Sequence, residues 1–220
     1  MHDKGLSFIR EQLANTTKPL KNIPFSVVIE AITGRKVLAF DRKSSEDQSL
    51  LALLIKAAEI AGKNVNKNGI KRSRPNEVGN DMEKFVKDAL KEDGIEAYSP
   101  KTAQGKGKST GYPDIEFIDV HRRVNYLECK VFTGKVESST MRSFYLSPSE
   151  KPKVTADAHH FIVAYQIYVS DTAGTDKIYK CKKFKIISIE NLLVDVKYEF
   201  NSDNRRLYDE CLLLAEKTIL

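Results

Sequence analysis

GYPDIEFIDVHRRVNYLECKVF, residues Gly111 to Phe132, reads as two strands and a turn. Ile115, Phe117 and Val120 make the first β-rich run, whose alternation is broken once by Ile118. His121-Arg122-Arg123 is a polar connection, and Val124 to Phe132 is the second strand. Side chains alternate faces along a strand, so Leu127, Cys129 and Val131 point one way and Tyr126, Glu128 and Lys130 the other. Glu128 and Lys130 thus stand side by side. If the strands pair, Asp114 at the start of the first lies beside Glu128 in the second.

Two close carboxylates resist joint ionisation. A divalent cation relieves that repulsion, and hard oxygen ligands suit Mg²⁺. Lys130 is then placed to orient or deprotonate a water, or to offset charge developing on phosphate oxygens. These are the requirements of phosphodiester hydrolysis. The alternative is an ordinary Glu–Lys pair on a half-exposed strand.

The surroundings bound the reading. The chain has 220 residues, enough for one domain with a full core or for a core domain with a helical extension. Hydrophobic residues at 41% and charged residues at 30% place it among globular proteins rather than disordered ones. No apolar run approaches the ~20 residues of a membrane span. MHDKGLSFIREQ lacks a signal-peptide core, so the expected location is cytoplasmic. Cys129, Cys181 and Cys211 are odd in number and share no Cys-x-x-Cys spacing, which argues against a zinc site or a disulfide framework. No GxxxxGK[ST] spacing exists, so no nucleotide cofactor is expected.

The net charge is +6. Lys63, Lys67, Lys71, Arg72 and Arg74 form one basic cluster and Lys101, Lys106 and Lys108 another, flanking the Asp114 segment in sequence. That placement suits a polyanion, with solvated loops as the alternative. Arg142 is a further candidate for a phosphate or guanine contact, or for an ordinary ion pair. Lys177, Lys180, Lys182, Lys183 and Lys185 are interleaved with aromatic and aliphatic residues, as on a DNA-facing strand or a protected edge strand.

Residues 1–70 read as mainly helical, with candidates at Leu6 to Ala14, at Phe25 to Ile32, and from a capping box of Ser45 with Gln48 through Ala61. This region is a candidate subdomain, dimerisation surface or DNA-grasping arm. A further helix spans about Glu77 to Lys91, with Met82, Phe85, Val86, Ala89 and Leu90 on its apolar face. Glu83 lies at the edge of that face and is the first choice for a third acid at the sheet; Glu77 is the second. Ile95 to Tyr98 is a short strand, and His159-His160 precede a strong one at Phe161 to Val169, with one His expected buried and the other exposed. Glu190 to Val196 is read as a helix, and Ser202 as the cap of a last helix carrying Leu207, Cys211, Leu214 and Ala215 on one face. The order gives an α/β (α+β) fold with a central mixed β-sheet flanked by helices.

Pro113-Asp114 followed by Glu128-Cys129-Lys130 resembles the PD-(D/E)XK nuclease superfamily, whose members have the restriction-endonuclease-like fold. RPNEVGNDMEKFVKDAL (Arg74 to Leu90) resembles the helix that precedes the catalytic hairpin in many type II restriction enzymes. STGYPDIE, MRSFYLSPS and KYEFNSDNRRLYD extend the likeness, which covers residues from about 70 onward. The resemblance implies a nuclease core over 71–220 and hydrolysis of double-stranded DNA at a specific, palindromic site with Mg²⁺, one or two ions per centre. It implies Asp114 and Glu128 as metal ligands, an acid from the helix such as Glu83, and Lys130 beside them. Because one chain carries one such constellation and two strands must be cut, a homodimer is expected. The competing readings are a junction-resolving or repair nuclease of the same superfamily, a non-catalytic DNA-binding module and a structural or protein-interaction domain.

Overall fold

The computed structural model describes residues 2–16, 18, 20–105, 107, 111–134, 139–140, 143–199, 202–215 and 217. Lys106, Lys108 and Arg142 lie outside the described residues. The chain divides into two compact units, Ile23–Leu193 and Met1–Asn22 with Val194–Leu220. The first holds α2 (Phe25–Thr33), α3 (Ser45–Asn68), α4 (Val78–Glu92) and a six-stranded sheet; the second holds α1 (His2–Thr16) and α5 (Asn204–Leu207).

The sheet comprises β2 (Ile70–Arg72), β3 (Ala97–Tyr98), β4 (Ile115–Ile118), β5 (Val124–Phe132), β6 (His159–Ala173) and β7 (Asp176–Ser188), in the order β2-β7-β6-β5-β4-β3. Only β5 and β6 run parallel; every other pair is antiparallel, so the sheet is mixed. The two-residue β1 (Ile23–Pro24) and β8 (Leu193–Val194) are not part of it.

Both faces of the sheet are covered. One face packs Leu127, Cys129, Phe161, Val163 and Tyr165 against Leu50, Leu54, Ala58 and Ala61 of α3 and Met82, Val86 and Leu90 of α4. The opposite face joins Tyr126, Ile162 and Ala164 to Phe25 and Ile29 of α2 and to Tyr112. The 3.6-residue repeat explains α3 and α4, since residues three and four apart share a face. The apolar stripe of α3 therefore serves the same core as α4 and the sheet. Ser44, rather than Ser45, is its N-cap: the Ser44 hydroxyl accepts from the Asp47 amide at 3.3 Å. Glu46 and Asp47 in the first turn complement the helix dipole. Gly69 ends α3 at φ 68°, where a Cβ would come within 2.6 Å of Ile178, so both conformation and space call for glycine.

Several sequence expectations are corrected. β4 ends at Ile118, and Val120 is exposed in the turn because Asp119 takes the amides of His121 and Arg123 there. Both His159 and His160 are buried, since β6 lies inside a sheet covered on both faces. β7 is not an edge strand in the sheet order; β2 covers it at Lys177 to Tyr179, and beyond that the Asn66 amide brackets Cys181, donating to its carbonyl at 3.0 Å and accepting from its amide at 2.7 Å. Glu190 to Val196 is a turn and β8 rather than a helix. The Glu190 and Leu192 carbonyls accept from Ser26 and Phe25, satisfying amides at the start of α2 that its cap Pro24 leaves without a side-chain acceptor. Asp203, not Ser202, caps α5, and Asp209 draws in the Cys211 amide, so the expected long C-terminal helix breaks after one turn.

Candidate active site

The centre forms where β4 parts from β5. Their ladder runs from Ile118↔Val124 to Ile115↔Leu127 and stops, while β5 stays paired with β6 through Phe132↔Gln166. The Cys129 amide on the β4 side is therefore left without a strand partner, and Asp114 Oδ2 accepts from it at 2.8 Å. The Ile115↔Leu127 register puts Asp114, one residue earlier, next to Glu128, one residue later. Lys130, on the same face as Glu128, donates from Nζ to Glu128 Oε1 at 2.7 Å. Its ammonium also lies 5.8 Å from the centre of the Tyr145 ring.

The electrostatics describe a crowded acidic centre. Burial, then the Asp114 carboxylate, pushes Glu128 up to about 7. Burial raises Asp114 as well, against the pull of the Cys129 amide and Lys130. Burial would lower Lys130, but Glu128 and Asp114 outweigh it and raise its pKa, so Lys130 is an ammonium. Glu83 belongs to the same electrostatic set: burial and then Asp114 push it up to about 7. Glu77 is occupied elsewhere, accepting from the Ser73 hydroxyl at 3.2 Å and the Arg74 amide at 3.3 Å.

The donor set fits a divalent ion. Glu128 Oε2 is buried with no hydrogen-bond partner, although a buried carboxylate oxygen ordinarily finds one. Among the described residues, no cluster of three metal-ligating side chains is drawn together in this geometry. Three carboxylates that repel one another, one with an orphaned buried oxygen, are what a cation would draw closer.

The Glu83 shift has a testable sign. A carboxyl whose folded pKa exceeds its unfolded value near 4.5 costs no stability below that value and its full penalty above about 7. Glu83→Gln should therefore raise the melting temperature of the metal-free protein at pH 8 and leave it unchanged at pH 4. An equal shift at both pH values would remove Glu83 from the acidic set.

The basic candidates divide. Arg72 is a bidentate partner of Asp81, at 2.8 and 2.7 Å, and Lys71 lies 3.7 Å from Asp176. His160, pushed down to about 3 by burial, is neutral and meets the Tyr112 hydroxyl at Nδ1, 2.6 Å away. A residue that sequence reasoning passed over is Lys153, from the turn-rich stretch after β5. Its Nζ donates to the carbonyls of Gly111 at 2.6 Å and Pro113 at 3.0 Å. No periodicity distinguishes it from Lys151 two residues earlier.

Residues 19–211 match the model of the type II restriction enzyme MjaV family. The chain is 38% identical over 226 aligned residues to the type II restriction enzyme MjaV of Methanocaldococcus jannaschii, with 96% of each chain covered. No solved structure matches. Among the described residues, no helix is long and apolar enough to cross a membrane.

Proposed function

The chain belongs to the type II restriction enzyme MjaV family, a site-specific endodeoxyribonuclease family, and on that premise we propose that Asp114, Glu128, Glu83 and Lys130 form its DNA-cleaving centre, with Mg²⁺ as the metal and a palindromic duplex as the substrate. The observation that carries the site is the splayed β4–β5 junction, which pins Asp114 on the Cys129 amide beside the Glu128–Lys130 pair.

Asp114 and Glu128 would hold the ion, with Glu83 as the third acid. Such an ion, when bound, neutralises phosphate charge and acidifies a water. The chain's own part is to fix the carboxylates and the ammonium. Lys130, 2.7 Å from Glu128, would orient or deprotonate the water or offset charge growing on the phosphate oxygens. Digestion of a DNA of known sequence with Mg²⁺, with the ends mapped, tests this reading. Discrete ends at one recurring sequence are expected; selective cutting of branched DNA would point to a junction-resolving enzyme.

Lys71, Arg72 and Arg74, with Lys106, Lys108 and Arg142, are assigned to DNA contact. Arg72 must exchange Asp81 for a phosphate to serve. Neutralising Lys71 and Arg74 together should weaken binding across sequences and lower the slope of log K against log salt by about 1.8, roughly 0.9 for each phosphate that is no longer neutralised. An unchanged slope would return both to the solvated surface.

The enzyme acts as a homodimer in this reading, one centre for each DNA strand. Leu50, Leu54, Ala57, Ala58 and Ala61 of α3 are buried in their own chain while Ile55 on the same helix is 40% exposed, so this helix offers little surface to a contact between subunits. Leu6, Phe8 and Ile9 of α1 are exposed and are the surface assigned to it. Light scattering in Ca²⁺ should give two subunits per duplex. One subunit per duplex, with sequential nicking, would defeat the assignment.

A further inference from the structure

Lys153 is a charged side chain with only 5% of its residue surface exposed. Enclosing an ammonium is costly unless it is well paired, and an apolar residue would fill the same space at lower cost. Its partners explain its presence. The Gly111 and Pro113 carbonyls that accept from it belong to the segment that delivers Asp114. Gly111 turns that segment at φ 86°, a conformation side-chain-bearing residues rarely adopt, so the approach to Asp114 is held from the Lys153 side rather than by strand pairing. The charge also reaches further: Lys153 acts on Asp114 and on Glu83 in the direction that favours their ionised forms.

We propose that Lys153 is a positioning residue of the cleavage centre, clamping the carbonyls of Gly111 and Pro113 so that Asp114 stays on the Cys129 amide, and standing as a second ammonium behind the acids. The β4–β5 ladder ends at Ile115, so the Cys129 amide holds the Asp114 side chain while no ladder pairing holds the backbone that leads into it. Lys130 is the more exposed ammonium, at 28% of its side chain, and Lys153 the buried one. Residues that hold the ligands of a metal centre commonly matter nearly as much as the ligands.

The inference rests on Asp114 being a metal-binding acid of the centre, so Asp114→Asn is measured in parallel. Lys153→Met removes the charge and keeps the stem; Lys153→Arg keeps a cationic donor. Full-length protein is titrated with Mn²⁺ by calorimetry without DNA, and kcat and KM are measured on a cleavable duplex. Lys153→Met is expected to bind Mn²⁺ about tenfold or more weakly and to lose about 10- to 100-fold in kcat, with KM for DNA changed little. Lys153→Arg is expected to recover most of both. Lys153→Met with wild-type Mn²⁺ affinity and kcat overturns the proposal, and so does a rise in KM alone, which marks a DNA contact. A folded Lys153→Arg as impaired as Lys153→Met also counts against it. If Lys153→Met does not fold, Lys153→Gln, uncharged but still a donor, is read by the same criteria. If Asp114→Asn keeps wild-type turnover, the site reading has failed; if only Lys153→Met does, this inference alone has.

Discussion

Asp114→Asn is expected to reduce DNA cleavage by at least about 10²- to 10³-fold while the protein stays folded. The substitution is close to isosteric. An asparagine carbonyl oxygen can still accept from the Cys129 amide, now met by Asp114 Oδ2 at 2.8 Å, so the splayed junction keeps its pin. What disappears is the negative charge. That charge is unfavourable in the metal-free protein, since burial raises the Asp114 pKa and Asp114 in turn raises Glu128 and Glu83. Metal-free Asp114→Asn should therefore be at least as stable as the wild type at pH 8 while losing turnover, an opposition that global damage does not produce. Lys130→Ala should lose activity to a similar degree for the complementary reason, with Glu128 left buried and without its 2.7 Å partner. Single-turnover cleavage on a mapped duplex, beside thermal melting of the same preparations, decides the matter. Turnover near the wild-type rate in either folded variant would remove that residue from the centre.

The second large effect is on stability and lies away from the acids. Arg123 joins three elements. It donates from Nη1 to Asp47 at the start of α3 at 2.6 Å, and from Nε to Asp119 in the β4–β5 turn at 2.8 Å. Asp47 also lies 3.4 Å from His159 of β6. Asp47 and Asp119 are both buried, at 3% and 4% exposure, so an ion pair here is not the weak surface kind. Arg123→Ala would leave two enclosed carboxylates short of their main partner, at a cost of about 3–5 kcal/mol. The effect has a pH signature. Burial opposes ionisation of Asp47, but Arg123, the Asp41 amide and His159 outweigh it and hold its pKa below 3.8. A carboxylate with a lowered folded pKa gives stability that is present above the unfolded value and lost as pH falls through the folded one. The gap between wild type and Arg123→Ala should then be full near pH 7 and narrow below pH 4. Denaturant unfolding at both pH values tests it, and a gap under about 1 kcal/mol at pH 7 would show that solvent or rearrangement replaces Arg123.

The sequence by itself determined the parts of this protein that depend on short-range periodicity. The alternation of Val124 to Phe132 placed Glu128 and Lys130 on one face, and the 3.6-residue stripe of Val78 to Glu92 placed Glu83 at the margin of a buried face. The Pro113-Asp114 and Glu128-Cys129-Lys130 spacing carried the resemblance to restriction-type nucleases, and the match over residues 19–211 established the type II restriction enzyme MjaV family. It was less informative wherever a backbone group or a charge finds its partner far along the chain. Glu190 to Val196 has a helical composition, yet its carbonyls go to α2, more than 160 residues earlier in the chain. His159 and His160 alternate as strand residues should, but whether each face is covered depends on helices packed from elsewhere. Lys153 looks like any lysine of a polar loop until the fold closes around it and aims its ammonium at two carbonyls beside Asp114. The splay of β4 from β5 is likewise invisible in a pattern of faces. It is set by where the ladder stops, at Ile115↔Leu127, and that end point is what frees the Cys129 amide to hold Asp114. Periodicity is local and survives in one dimension; the pairing of buried charges and orphaned amides is non-local, so only the tertiary structure decided it.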